Sequence, residues 1–215
     1  MPIIGYIHIC QKPGWEKSFD ILMNAIKKST LYDSIEKIRC GVLNDSGEFV
    51  FDERLCDPKI KIIHIGKSEE FEHPTLLHMR KLSELDPEDT KYFYLHTKGL
   101  RHFETKREEF VLDWINTMLY WNIEKWEFAV DKLSEYDAYG CYCNQHYNNH
   151  YCGNFWWATA HHVKKLPNYI DTTYYNGAED WVLKINDNRY CAHDYTYEWF
   201  ENMMNMYKDI LNAIE

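Results

Sequence analysis

Residues 91–100 read KYFYLHTKGL, and the fold turns on this stretch. Tyr92, Phe93, Tyr94 and Leu95 form an unbroken apolar run of strand length. It stops abruptly at His96-Thr97-Lys98-Gly99. Such a run predicts a strand buried on both faces. In open α/β sheets, ligands collect just beyond the carboxyl ends of the strands. An imidazole, a hydroxyl and an ammonium delivered there predict a site for an anion.

Working outward, the chain opens on a strand, Ile3–Cys10 (IIGYIHIC), followed by a turn at Lys12-Pro13-Gly14. Phe19, Leu22, Met23 and Ile26 recur at helical spacing and predict a helix over 15–29. Further strands are predicted over 35–43 and 59–65, the first closed by the turn Asn44-Asp45-Ser46-Gly47. His73-Pro74 starts a helix, with proline in the first turn, and Asp86-Pro87 ends it. This alternation of strands and helices predicts an α/β unit with a mixed, mostly parallel sheet flanked by helices. Beyond it, 110–133 reads as one long amphipathic helix or two, 136–142 as a short strand, and 154–160 as a strand leading into a helix over 159–166. Residues 178–185 and 199–214 read as helices. With no linker, repeat or low-complexity stretch, the expectation is one domain over 1–215, with 1–100 as a nucleotide-binding half and 101–215 as an acceptor half.

Composition narrows the partners. The net charge of -10 argues against a general nucleic-acid or anionic-membrane binder. A few cations gathered in one cleft could still hold a small anion. Aromatic residues at 16% fit either flat-ligand binding or a core rich in amphipathic rings, and the core is the plainer reading. Seven cysteines, an odd number without a CxxC pair, read mostly as buried free thiols. The start MPIIGYIHIC does not read as a signal peptide, and no run reaches a membrane span. A cytoplasmic protein is expected.

Familiar fingerprints are missing. The sequence has no GxGxxG, no Walker lysine loop and no GxSxG. The pairs His146/His150 and His161/His162 read as surface histidines, the first in a turn-rich loop.

Five stretches together carry a resemblance: Glu72–Leu77 (EHPTLL), Tyr94–Gly99 (YLHTKG), the WINTMLY segment with Trp114, Met118 and Tyr120, His150–Ala158 (HYCGNFWWA) and Ala178–Trp181 (AEDW). They resemble sugar-nucleotide glycosyltransferases of the GT-A fold, including bacterial rhamnan-synthesis-type enzymes. The nearest likeness is to the N-terminal glycosyltransferase domain of large chlorella-virus proteins. The resemblance implies an inverting transferase that moves glucose or rhamnose from a UDP-sugar to a glycan or glycoprotein acceptor. It also implies further domains in a longer protein, and a host-cell cytoplasmic location if the source is viral.

The same resemblance implies a site. Most such enzymes hold Mn²⁺ or Mg²⁺ on the diphosphate with an Asp-x-Asp motif, since hard cations suit carboxylate and phosphate oxygens. This sequence has no Asp-x-Asp, and His96-Thr97-Lys98 stands in its place. His96, His193 and Asp194 are the implied metal ligands, and Lys98 could neutralise the diphosphate itself. His8, Ile9 and Asn44 would bracket base and ribose, with Thr75, Arg80, Thr97 and Asn154 contacting donor or acceptor. Asp180 is the expected general base, with Glu179 holding the acceptor; Trp156, Trp157 and Trp181 offer flat faces to a sugar ring. Two other readings stand beside this one: a carbohydrate-binding or scaffold module that has kept the fold without catalysis, and a nucleotidyltransferase. The last needs paired carboxylates at a strand end, which are not found.

Overall fold

The computed structural model describes residues 1–144, 149–174, 176–185, 188–193 and 212. In chain order the elements are β1 (Ile3–Cys10), α1 (Trp15–Lys28), α2 (Leu31–Ser34), β2 (Lys37–Asn44), β3 (Ile60–Lys67), α3 (His73–Leu82), β4 (Lys91–His96), α4 (Glu108–Leu119) and α5 (Trp126–Lys132). They continue with β5 (Ala138–Gly140), β6 (Cys143–Asn144), β7 (His150–Tyr151), β8 (Trp156–Thr159), α6 (Ala160–Val163), α7 (Gly177–Asp180) and β9 (Arg189–Cys191). The helix expected over 199–214 lies outside the described residues, apart from Asn212.

Seven strands form one sheet in the order β3-β2-β1-β4-β8-β5-β9. β1 pairs in parallel with β2 and β4, and β2 in parallel with β3. β8 runs antiparallel to both β4 and β5, and β5 is parallel to β9. The sheet is therefore α/β, mixed and mostly parallel, as the sequence predicts. Strand order reverses at β1, whose neighbours β2 and β4 are reached in opposite directions. A crevice at the carboxyl ends of β1 and β4 is the topological switch point where such sheets bind ligands.

The aromatic run of β4 is explained by its two covered faces. Phe93 and Leu95 join Ile3, Ile7 and Ile9 of β1 and Phe19 and Leu22 of α1 in one core. Tyr92 and Tyr94 point the other way, into a second core with Tyr6, Leu76 and Met79. The side-chain period of two assigns alternate residues to opposite faces, so a strand buried on both sides needs apolar residues at every position. The adjacent indoles of β8 divide the same way: Trp157 packs against Phe93 in the first core, and Trp156 stacks on Tyr94 in the second. Trp156, Trp157 and Trp181 are thus core residues and offer no face to a sugar.

The stretch expected as one long helix or two is two helices. A π-helical turn at Tyr120–Glu124 separates α4 from α5. Its cause is Asn122, which is fully buried. Its side-chain amide donates to the Met118 carbonyl at 2.9 Å, while its backbone carbonyl accepts from the Trp157 indole at 2.7 Å. A side chain inserted into the i→i−4 ladder is a recognised source of such a break. Cys143 and Cys191 are joined as a disulfide, a pairing that neither spacing nor count predicts; the five other cysteines are free. Among the described residues no helix is long and apolar enough to cross a membrane.

At the amino ends of the parallel strands, away from the switch point, Arg39 donates to the Tyr6 hydroxyl at 2.6 Å and pairs with Asp86 at 2.8 Å. Tyr92 donates to the same carboxylate at 2.7 Å. Asp86→Ala would strand a nearly buried guanidinium. The expected loss is about 3–5 kcal/mol, read as a lower urea midpoint with an unchanged m-value, whereas an exposed control such as Glu84→Ala should shift it by less than about 0.5 kcal/mol.

Candidate functional site

The residues after β4 are held by their backbone and by the buried Thr97 side chain. The Thr97 amide donates to the His8 carbonyl at 2.9 Å, and the Thr97 hydroxyl accepts from the Cys10 amide at 2.9 Å. Ser18 of α1 clamps the next residue. Its hydroxyl accepts from the Lys98 amide at 2.9 Å and donates to the Lys98 carbonyl at 3.2 Å. Gly99 then turns with φ 76°, and a Cβ there would stand 2.2 Å from Val111 Cγ1. Only glycine serves in this left-handed, crowded position. The Lys98 ammonium ends 4.2 Å from the centroid of the Trp114 ring, a cation–π contact.

Behind this loop lies a partly buried carboxylate, Glu72, just ahead of α3. Its Oε2 accepts from the Tyr94 hydroxyl at 2.6 Å and from the Asn154 amide at 2.6 Å. Its Oε1 stands 3.9 Å from His96 Nδ1. Burial pushes the Glu72 pKa up, but His96, His8, the Tyr94 hydrogen bond and Lys98 together hold it below the ordinary carboxylate range. Asn154 reaches it from a left-handed residue, φ 57°, directly after Gly153 at φ 95°. The same turn presents the Gly153 carbonyl to His96 Nε2 at 3.0 Å. Since a carbonyl only accepts, Nε2 carries the proton there.

A second charged group lies alongside. His150, 4% exposed, places Nδ1 3.1 Å from Asp180 Oδ1 and Nε2 3.6 Å from Glu179 Oε2. The approach to Asp180 is oblique, so the contact is an ion pair rather than an aligned hydrogen bond. Asp180 also accepts from the Tyr174 hydroxyl at 2.6 Å. Burial favours neutral imidazole, yet Asp180, Cys152 and Glu179 outweigh it and raise the His150 pKa to about 10. Glu179 is shifted upward, by burial first, with Lys98 opposing and Glu72 adding to the shift. Lys98 is shifted downward by burial, against the pull of Glu179 and Glu72.

These groups open onto a pocket of about 830 Å³ beyond the end of β4. Lys98, Arg101, Lys106 and Arg107 supply its cations, α4 its apolar wall through Trp114, and Glu179 its acid. Four cations facing one carboxylate make a concave anion site in a chain of net charge -10.

Of the residues expected in the site, His96, Thr97, Lys98 and Glu179 line this pocket. Asn154 and Asp180 stand directly behind it, buried against Glu72 and His150. The others do not face it. His8 is buried, its Nδ1 3.0 Å from the Thr75 hydroxyl, and burial lowers its pKa to about 4. Ile9 is in the core. Asn44 is spent on its own turn, accepting from the Gly47 amide and donating to the Glu48 carbonyl. Arg80 donates to the Leu166 carbonyl and pairs with Glu84. His193 stacks on Trp121, with ring centroids 6.2 Å apart. Asp194 and His146 lie outside the described residues. His150 and His162 correct the surface reading: both are buried, His162 bonded to the Val182 carbonyl at 2.7 Å, while His161 is exposed.

Sequence reasoning missed Glu72, His150, Arg101, Lys106 and Arg107 as site residues. The cations had a local signal, since residues 101–107 read RHFETKR in an acidic chain. Glu72 lay inside a quoted motif, but its neighbours Tyr94 and Asn154 are 22 and 82 residues away. A divalent metal finds no ready ligand set: among the described residues no three His, Cys, Asp or Glu side chains group to hold one.

The raised His150 pKa has a sign. A group protonated more tightly in the folded state adds stability that is complete below its unfolded value, about 6.5. That stability is lost as pH rises through the folded value, about 10. The wild-type Tm should therefore fall between pH 7 and 10 more than that of His150→Gln, by differential scanning calorimetry; parallel curves would refute the ion pair. No model of a known protein family matches the chain, and no curated protein is found similar to it.

Proposed function

We propose that this chain is a glycosyltransferase that moves a hexose or deoxyhexose, glucose or rhamnose, from a UDP-sugar to a glycan acceptor, with inversion. The observation that carries this reading is the pocket beyond the end of β4, where cations that, among the described residues, have no carboxylate at salt-bridge distance face a single carboxylate with a raised pKa. The GT-A likeness of the motifs and the strand order with one antiparallel strand, β8, support it.

The chemistry follows from the charges. The acceptor oxygen attacks the anomeric carbon as the bond to the leaving phosphate oxygen breaks, and that electron pair departs with the diphosphate. Cations aimed at the leaving group stabilise the charge as it develops. The acceptor proton must pass to a base within hydrogen-bond reach. Glu179 faces the pocket and takes that role. Asp180, expected as the base, is held by Tyr174 and His150, and its role is to fix the imidazolium that stands beside Glu179.

UDP should raise the Tm of the protein, and a screen of UDP-glucose and UDP-rhamnose, with and without Mn²⁺, should show transfer or slow hydrolysis of one. Glu179→Gln should keep UDP binding and lower kcat by about 10²–10⁴-fold, the usual contribution of a general base. Asp180→Asn should cost less and shift the pH profile. Absence of a thermal shift with every nucleoside diphosphate would remove the reading.

A further inference from the structure

The segment from Lys98 to Arg107 joins β4 to α4 and forms one wall of the pocket. Arg39, Arg54 and Arg80 elsewhere in the chain each have a carboxylate partner. Among the described residues Lys98, Arg101, Lys106 and Arg107 have none at salt-bridge distance, and Arg101, Lys106 and Arg107 are exposed. Unpaired cations repel one another, so gathering four at one concave site is costly unless an anion completes it. The residues expected to hold a metal are otherwise engaged. His96 gives Nε2 to the Gly153 carbonyl and turns Nδ1 toward Glu72. His193 lies flat on Trp121.

We propose that the Lys98–Arg107 strap is the diphosphate-binding element of the pocket, and that its side-chain cations neutralise the leaving diphosphate in place of a divalent metal ion. The identity of the anion rests on the glycosyltransferase reading; the strap as a metal-independent site for a diphosphate group does not. Lys98 is the inner cation, positioned by Ser18 and Trp114. Arg101 and Arg107 are outer, exposed cations of the same wall. An arginine fork matches two phosphate oxygens at once. The acceptor side is left to Glu179, which lines the same pocket.

The test is calorimetric titration of the whole chain with inorganic pyrophosphate and, separately, with UDP, in EDTA and in Mn²⁺. Both should bind in EDTA, with Mn²⁺ changing Kd by less than about threefold, since direct charge pairing supplies the affinity. Binding should weaken with added salt, as exposed charges are screened. The double variant Arg101→Gln/Arg107→Gln should raise Kd for both ligands by about tenfold or more, the equivalent of roughly 1.4 kcal/mol. The Lys61→Gln control on the exposed edge of β3 should leave it unchanged. Because Arg101 and Arg107 are exposed, the variant should fold, and Arg101→Lys/Arg107→Lys should restore part of the affinity. Binding that appears only with Mn²⁺, or that the double variant does not change, overturns the proposal. If pyrophosphate binds the strap while no UDP-sugar binds or is consumed, the strap stands and the donor assignment alone falls.

Discussion

Glu72 is the constraint around which the candidate site is arranged. An ionised carboxylate withdrawn this far from solvent, 18% exposed, is stable when hydrogen bonds and cations replace the water it loses. Tyr94 and Asn154 supply the hydrogen bonds, and His96, His8 and Lys98 supply the favourable field. Meeting that demand draws together the end of β4, the start of α3 and the turn before β8. The left-handed backbone at Gly153 and Asn154 is the local cost of bringing an amide to Glu72 and a carbonyl to His96 in consecutive residues.

The same arrangement separates two kinds of acid. Glu72 is held ionised by its neighbours, whereas Glu179, facing the pocket with less compensation, is shifted toward the neutral form. Asp180 is tied to His150 and Tyr174. Three carboxylates close together thus have three environments: one organises the backbone, one anchors an imidazolium, and one is left for a ligand. Environments that push neighbouring titratable groups apart are what acid–base chemistry at neutral pH requires. The pocket's cations are the complement, a positive wall opposite the acid.

Much of the fold was legible because its signals are local. The run Tyr92–Leu95, the helical spacing of Phe19, Leu22, Met23 and Ile26, and the proline after His73 each report a period or a turn within a few residues. Over 110–133 the sequence leaves one helix or two open, because Asn122 is polar and unremarkable in sequence; its burial against Trp157 arises only once β8 lies beside it. The same limit applies to His150. In the string NQHYNNHYCG it reads as a loop histidine, and only β7 set against Asp180 makes it a buried cation.

By itself, the sequence determined an α/β chain whose fourth strand delivers His96, Thr97 and Lys98 to the carboxyl end of a parallel sheet, because strand burial and chain direction follow from short-range pattern. Tertiary structure alone decided which polar groups share that end. His8, Asn44, Thr75 and Arg80 are consumed by internal hydrogen bonds, while Glu72, His150 and the Arg101–Arg107 segment enter or support the site. The physical reason is that a polar residue's role is set by which partner satisfies it when it is buried, and here those partners come from distant parts of the chain.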